Sequence, residues 1–388
     1  MSKQHTLKVE IKGVQFRNKG AYLMLLGCLK GLEQLGRPFE LVLSPGPNLP
    51  YRERAMLGAW QKLSLRRKGL DFTPWFGKLP NFMLNTLKRY GIVTEREVDV
   101  ILEASGFAYG DQWPLLFLQN TAREVKRFGE AGKAFIFMPQ AFGPFKSAQS
   151  KAAMRDIIQH AKLIFVRDPV SLGHLQSCMA ELPPHVILTP DFTVGLKGES
   201  RTALPEFDGP FAALIPNNKV ISKFNHANAE AERTRYVEAF AAAGNQLTEL
   251  GLNVVLVNHE GKEDAALCAE IAKLTPCQII TIEDPLAVKA LIGKAELCVS
   301  SRFHGAINAL SQNVPCIATS WSHKYHAMMD DFGMADYCIE ELSALTLTQK
   351  ITQLLANKND IQPVLAERSA ALKAKNQLMW QKLHDTLR

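Results

Sequence analysis

The chain has 388 residues, 47% hydrophobic and 21% charged, with a formal net charge of +7; this is a globular composition, not a disordered or fibrous one. No run of about eighteen apolar residues occurs, and the opening segment Met1–Glu10 is polar and charged, so neither a membrane-spanning helix nor a signal segment is predicted and a cytoplasmic protein is expected. Seven cysteines (Cys28, Cys178, Cys268, Cys277, Cys298, Cys316, Cys338) stand singly; an odd, scattered set reads as small buried side chains in a reducing compartment.

Short runs rich in Val, Ile and Phe alternate with longer amphipathic stretches, the pattern of βαβ units around a parallel sheet. In the first half, strands are predicted at Leu7–Ile11, Glu40–Leu43, Val98–Leu102, Ala134–Met138, Leu163–Val166 and Val186–Leu188, with helices at Ala21–Leu35, Leu115–Phe128, Lys151–Gln159 and Val170–Met179. From Val194 to Gly209 the text turns polar and loses periodicity, which marks a domain boundary. A second series follows, with strands at Phe211–Ile215, Val254–Val257, Ile279–Ile282, Leu297–Val299 and Cys316–Ala318. Its helices are expected at Ala229–Leu250, Ala265–Leu274, Leu286–Ile292 and Phe303–Leu310, and a charged helical stretch covers Leu345–Leu387. The expected fold is α/β: two Rossmann-like domains, 1–200 and 201–345, facing a cleft, with C-terminal helices over 346–388.

Charge is unevenly placed. Between Tyr51 and Tyr90 nine basic residues (Arg52, Arg54, Lys62, Arg66, Arg67, Lys68, Lys78, Lys88, Arg89) face only Glu53 and Asp71, so this window carries the whole net charge of +7. Interleaved with Trp60, Phe72, Trp75, Phe76 and Phe82, it suits either an anionic membrane surface or a solvated basic helix with its aromatics in the core. No nucleic-acid partner is expected.

In open α/β sheets ligands bind beyond the C-terminal strand ends, where helix N-termini favour anions. Two segments place cations there. Ser300-Ser301-Arg302-Phe303-His304-Gly305 follows a strand, with a serine able to cap the helix and Arg302 and His304 in its first turn. Phe165-Val166-Arg167-Asp168-Pro169 ends another, with Asp168 as N-cap and Pro169 at the first helical position. Either arginine could instead pair with a nearby carboxylate. Asp111, Glu260 and Asp264 also fall at strand ends, as candidate bases or as helix caps. His323 and His326 have no partner at ligand spacing, and no metal is expected.

Ser300-Ser301-Arg302-Phe303-His304, followed by Ala309, Pro315, Lys324, Asp331 and Gly333, resembles the signature region of the polysaccharide pyruvyltransferase family. Asn18-Lys19-Gly20, Asp99–Asp111, Pro139–Phe145 and Arg167-Asp168 with Ser171, Leu175 and Asp191 are similar to four further elements of that family. Ala21 and Ala104-Ser105 depart from it: an acidic residue and a richer glycine turn are usual there.

The resemblance implies a two-domain fold of the GT-B glycosyltransferase type and transfer of the pyruvyl group of phosphoenolpyruvate onto a sugar of a surface polysaccharide or its lipid-linked precursor. Arg167, Arg302, His304 and Lys324 are the expected donor-binding set, with His304, Arg302 and Asp111 catalytic. Asn18, Gly20, Gly106, Asp111, Gln140 and Glu260 are the expected acceptor-binding residues. No cofactor is implied beyond the donor substrate. A glycosyltransferase using a nucleotide sugar would have the same architecture, and a non-catalytic assembly component remains a third reading.

Overall fold

The computed structural model describes residues 6–67, 70–221, 229–319 and 323–388. By contact the chain divides into two units: Met1–Phe16, Met24–Phe192 and Lys375–Arg388 form the first, and Arg17–Leu23 with Thr193–Ala374 the second.

The first unit is built on eight parallel strands: β1 (Leu7–Lys12), β2 (Phe39–Leu43), β3 (Trp60–Lys62), β4 (Ile92–Val93), β5 (Val100–Glu103), β6 (Ala134–Gln140), β7 (Leu163–Val166) and β8 (Val186–Leu188). They lie in the order β8-β7-β6-β5-β1-β2-β3-β4. The second unit holds six more: β9 (Phe211–Ile215), β10 (Asn253–Asn258), β11 (Gln278–Thr281), β12 (Leu297–Ser300), β13 (Cys316–Thr319) and β14 (Cys338–Ile339), in the order β11-β10-β9-β12-β13-β14. All of these pair in parallel. In each unit the first strand is flanked on one side by its sequence neighbour and on the other by a later strand, the strand-order reversal of a Rossmann-like sheet. The central strands are buried on both faces, as their continuous apolar runs require.

The helices are α1 (Lys19–Glu33), α2 (Tyr51–Met56), α3 (Thr73–Phe76), α4 (Asn81–Arg89), α5 (Leu115–Glu130), α6 (Ala148–His160), α7 (Pro169–Gln176), α8 (Ala229–Glu249), α9 (Gly261–Ile271), α10 (Pro285–Ile292), α11 (Phe303–Leu310), α12 (His323–Asp331), α13 (Ala344–Ala356) and α14 (Lys358–Leu387). Asp168 and Pro169 open α7 as predicted, the Asp168 carboxylate accepting from the Ser171 amide at 2.7 Å. Each unit has its own core, Phe128, Phe135, Phe137 and Phe142 anchoring the first and Phe240, Val255, Leu291 and Met329 the second.

The unit boundary falls at Thr193, ahead of the expected 200, because Lys289 Nζ donates to the Thr193 carbonyl at 2.9 Å and the Glu199 amide to Leu286 at 3.2 Å, tying 193–199 to the second sheet. The C-terminal helices do not form a separate segment over 346–388. Leu347, Leu354, Leu365 and Leu372 belong to the second core, whereas Trp380 stacks edge-on against Phe192 and His384 bonds the Gly31 carbonyl within the first unit. Strands β3, β4 and β14, two or three residues each, were too short for an alternation to register in the sequence.

The basic window is partly consumed inside the first unit. Lys62, 2% exposed, pairs with Glu10 at 2.6 Å and Glu124 at 3.4 Å. Lys12 and Arg66 close on the same fully buried Glu124. Burial alone would raise the Glu124 pKa, but the three cations outweigh it and hold the carboxyl well below its usual range.

Candidate functional site

The residues singled out at strand ends divide between the two units. Arg302, His304, Lys324, Glu260, Asn18 and Gly20 belong to the second; Arg167, Gly106, Asp111 and Gln140 belong to the first. Thus Asn18 and Gly20, expected on the acceptor side with the N-terminal domain, pack with Arg302 and His304, while Arg167 stands in the other unit.

In the second unit β12 lies beside β9 at the strand-order reversal, and its C-terminal end delivers Ser300 to His304. Arg302 is itself the N-cap residue of α11, with no side chain capping the helix. The expected serine cap is replaced by a brace: Ser300 Oγ accepts from the Arg302 amide at 3.1 Å and donates to the Arg302 carbonyl at 2.8 Å. Asn217, just beyond β9, donates to the Ser301 carbonyl at 3.0 Å, and Tyr325 does the same at 2.8 Å.

Arg302 is 8% exposed, and its guanidinium is fully engaged. Nε and Nη2 fork onto Asp264 at 2.6–3.0 Å, and Nη1 meets Glu260. Asp264, completely buried, also accepts from the amides of Asn218 (3.0 Å) and Glu260 (3.1 Å). Desolvation would lower the Arg302 pKa, yet Asp264 and Glu260 more than reverse it. The carboxylate pairing left open in the sequence is therefore present, and Asp264, which also accepts from the amide of Glu260, the N-cap residue of α9, does not stand free as a base. Glu260 keeps 19% side-chain exposure; Arg302 and Lys219 outweigh burial and hold it ionised.

The N-terminal Asn-x-Gly element completes this cluster. Asn18 caps α1, its side chain accepting from the Ala21 amide at 3.0 Å and hydrogen-bonding Glu260. A Cβ on Gly20 would fall inside 3.0 Å of the His304 ring at Nδ1, so only glycine lets the first turn of α1 rest on that imidazole. Lys19, 5% exposed, has its pKa lowered by burial, partly opposed by Glu283, Asp264 and Glu260. His259, at the end of β10, is 3% exposed, and its Nε2 has no hydrogen-bond partner among the described residues. Burial first, then Arg302, Lys19 and His304, keep it neutral. Lys324 reaches over the Phe303 ring (5.4 Å) and the Tyr325 ring (5.8 Å), and Phe303 meets His304 edge-on. Lys19 and His259 were absent from the sequence-based set; only the former's place between Asn18 and Gly20 could have signalled it.

Gly20→Ala is expected to destabilise the protein by about 1–3 kcal/mol through overpacking, although Gly→Ala inside a helix normally stabilises by about 0.5–1 kcal/mol. Chemical denaturation decides the sign.

In the first unit Arg167 (7% exposed) pairs with Asp191 at 3.1 Å, and the Gly106 turn lies against Met24 and Arg167. Gln140 is completely buried, donating to Glu103 at 2.6 Å and accepting from Ser105 at 2.9 Å. Its amide thus braces two strand ends and is not open to an acceptor. Burial raises the Glu103 pKa in spite of these bonds. Asp111 is exposed and accepts from the Lys146 amide. His326 meets Glu340 at 3.0 Å, a partner its sequence spacing did not show, and the side chain of His323 lies outside the described residues.

The fold is similar to that of a glycosyltransferase from Rickettsia africae ESF-5 (TM-score 0.59, 12% identity, 100% of both chains). It is also similar to the UDP-GlcNAc 2-epimerase of Neisseria meningitidis bound to UDP-GlcNAc (TM-score 0.57, 10% identity, 97% of this chain and 99% of that one). The UDP-GlcNAc 2-epimerase of Methanocaldococcus jannaschii gives a TM-score of 0.55 at 12% identity, over 90% and 92%. These likenesses, with two Rossmann-like parallel sheets, make the architecture GT-B. No curated protein matches the sequence. The family model for polysaccharide pyruvyl transferase matches residues 18–323, running from the α1 cap through the β12 strand end to the start of α12, and by that match the chain belongs to the polysaccharide pyruvyl transferase family and is a transferase.

Proposed function

We propose that this protein transfers the pyruvyl group of phosphoenolpyruvate onto two hydroxyls of one sugar in a surface polysaccharide or its lipid-linked precursor, working peripherally at a membrane. The observation that carries the reading is the packing of Gly20 on His304, which joins the first and the most specific of the family's sequence elements in one cluster at a sheet's strand-order reversal.

The donor carries a carboxylate and a phosphate. Lys19, Lys324 and the α1 N-terminus supply positive potential for them, and His259 offers a neutral ring nitrogen. Arg302 serves by holding Asp264 and Glu260, and Glu260, the more accessible carboxylate, is the base for the attacking hydroxyl. That hydroxyl oxygen bonds to C2 as its proton passes to Glu260, while C3 takes a proton from His304 and becomes the methyl group. The second hydroxyl then bonds to C2, the C2–O bond to phosphate breaks, and inorganic phosphate leaves with the second proton.

Phosphoenolpyruvate at a hundredfold excess over its Kd should stabilise the folded protein by about 2.7 kcal/mol, read as a thermal shift that Lys19→Ala diminishes. A large shift with a UDP-sugar and none with phosphoenolpyruvate would replace pyruvyl transfer by glycosyl transfer.

A further inference from the structure

Apart from the site, the first unit exposes an unusual amount of apolar surface at one sheet edge. Of the eighteen large hydrophobic residues that are exposed among the described ones, seven fall within residues 51–90: Tyr51, Met56, Leu65, Trp75, Phe82, Met83 and Tyr90. That is about a tenth of the chain, so the clustering is not the usual scatter of single exposed side chains. Their helices sit together: α2 packs on β3, α4 on β4, and α3 on the turn Glu95–Glu97 just after β4, where β3 and β4 end the sheet.

Helix α4 shows the orientation. Leu84 points inward, 5% exposed. At 100° per residue Phe82, Met83, Thr86, Arg89 and Tyr90 share the opposite face, with Phe82 71% and Tyr90 75% exposed. Trp75 on α3 is 67% exposed and held edge-on by Phe72. A helix that turns aromatics outward beside a cation has the build of an interfacial anchor, in which rings sit at headgroup level.

The charges name the occupant. Arg54 is buried on the Leu49 carbonyl and Gln61, Lys62 and Arg66 are held by Glu10, Asp71 and Glu124, and Lys88 pairs with Glu97 at 2.7 Å. Arg52, Lys78 and Arg89 remain exposed among the aromatics. Cations spaced between insertable rings match a layer of negative headgroups above hydrocarbon.

We propose that α2, α3 and α4 form a docking surface for a bilayer containing anionic phospholipid, with Trp75 and Phe82 inserting and Arg52, Lys78 and Arg89 meeting the headgroups. No described helix is long and apolar enough to cross a membrane, and this surface attaches the protein from one side.

Co-sedimentation of the full chain with vesicles tests it. Vesicles of phosphatidylcholine with about three-tenths phosphatidylglycerol should bind at least about tenfold more protein at low salt than phosphatidylcholine alone, with the excess falling as salt is raised. Brominated lipid should quench tryptophan fluorescence in the wild type. The paired substitution Trp75→Glu and Phe82→Glu should weaken binding by at least about tenfold, and Arg89→Glu should weaken it at low salt only. Equal binding with and without phosphatidylglycerol, or unaltered binding by the paired variant, overturns the proposal. So does a wild type that ignores vesicles but sediments as a dimer that Phe82→Glu dissolves, because the face would then join two copies.

Discussion

His304→Ala is expected to slow phosphate release from phosphoenolpyruvate in the presence of an acceptor by about 10²–10⁴-fold, the usual contribution of a positioned acid or base. The imidazole lies in the first turn of α11, edge-on to Phe303 and against Gly20. Its removal deletes a half-buried ring and leaves the ion pairs of Arg302 with Asp264 and Glu260 in place, so the midpoint of thermal unfolding should move by only a few degrees. The loss should fall on kcat, with the thermal shift given by phosphoenolpyruvate largely kept. A variant retaining a third or more of the wild-type rate would remove His304 from proton transfer.

Arg302→Ala should act chiefly on stability, at a cost of about 3–5 kcal/mol, as when one partner of a buried ion pair is deleted. Asp264 would be left wholly buried without the guanidinium that forks onto it, keeping the amides of Asn218 and Glu260 and the more distant Lys19, and Glu260 would lose one of the two cations that keep it ionised. The sequence alone left two readings open, an arginine arm that binds the donor and one paired with a nearby carboxylate. Denaturant titration separates the two views, since an exposed ligand arm would cost well under 1 kcal/mol. Pairing the substitution with Asp264→Asn should recover part of the loss, because the uncompensated charge disappears. Recovery of none of it would show that packing around the arginine stem is what matters.

The sheets were legible because buried parallel strands write themselves as unbroken apolar runs, as Ala134–Met138 and Leu163–Val166 do, and because Asp168-Pro169 is a local helix-start signal. The partners of Arg302 were not, since Asp264 and Glu260 lie 38 and 42 residues away and nothing local distinguishes an ion-paired arginine from an open one. The same distance problem hid the fate of Lys62, which reads as surface charge until Glu10 and Glu124 close on it. Periodicity announced α1 as a helix but carried no information on which sheet its first turn would join.

That first turn and the end of α14 have a consequence for biosynthesis. Residues 17–23 belong to the second unit but are made before nearly all of the first, and residues 375–388 belong to the first but are made after the whole second. At about 5–20 residues per second, the wait between Phe192 and Lys375 is about 10–40 s on the ribosome. Throughout it the eight-stranded sheet lacks Trp380 and His384 against Gly31, while the Asn18 turn, made near the start of synthesis, waits until Glu260 and His304 emerge part-way through the same interval. Neither unit can be cut out as one contiguous fragment, and nascent chains of this protein should depend on chaperones longer than those of proteins whose domains follow one another end to end.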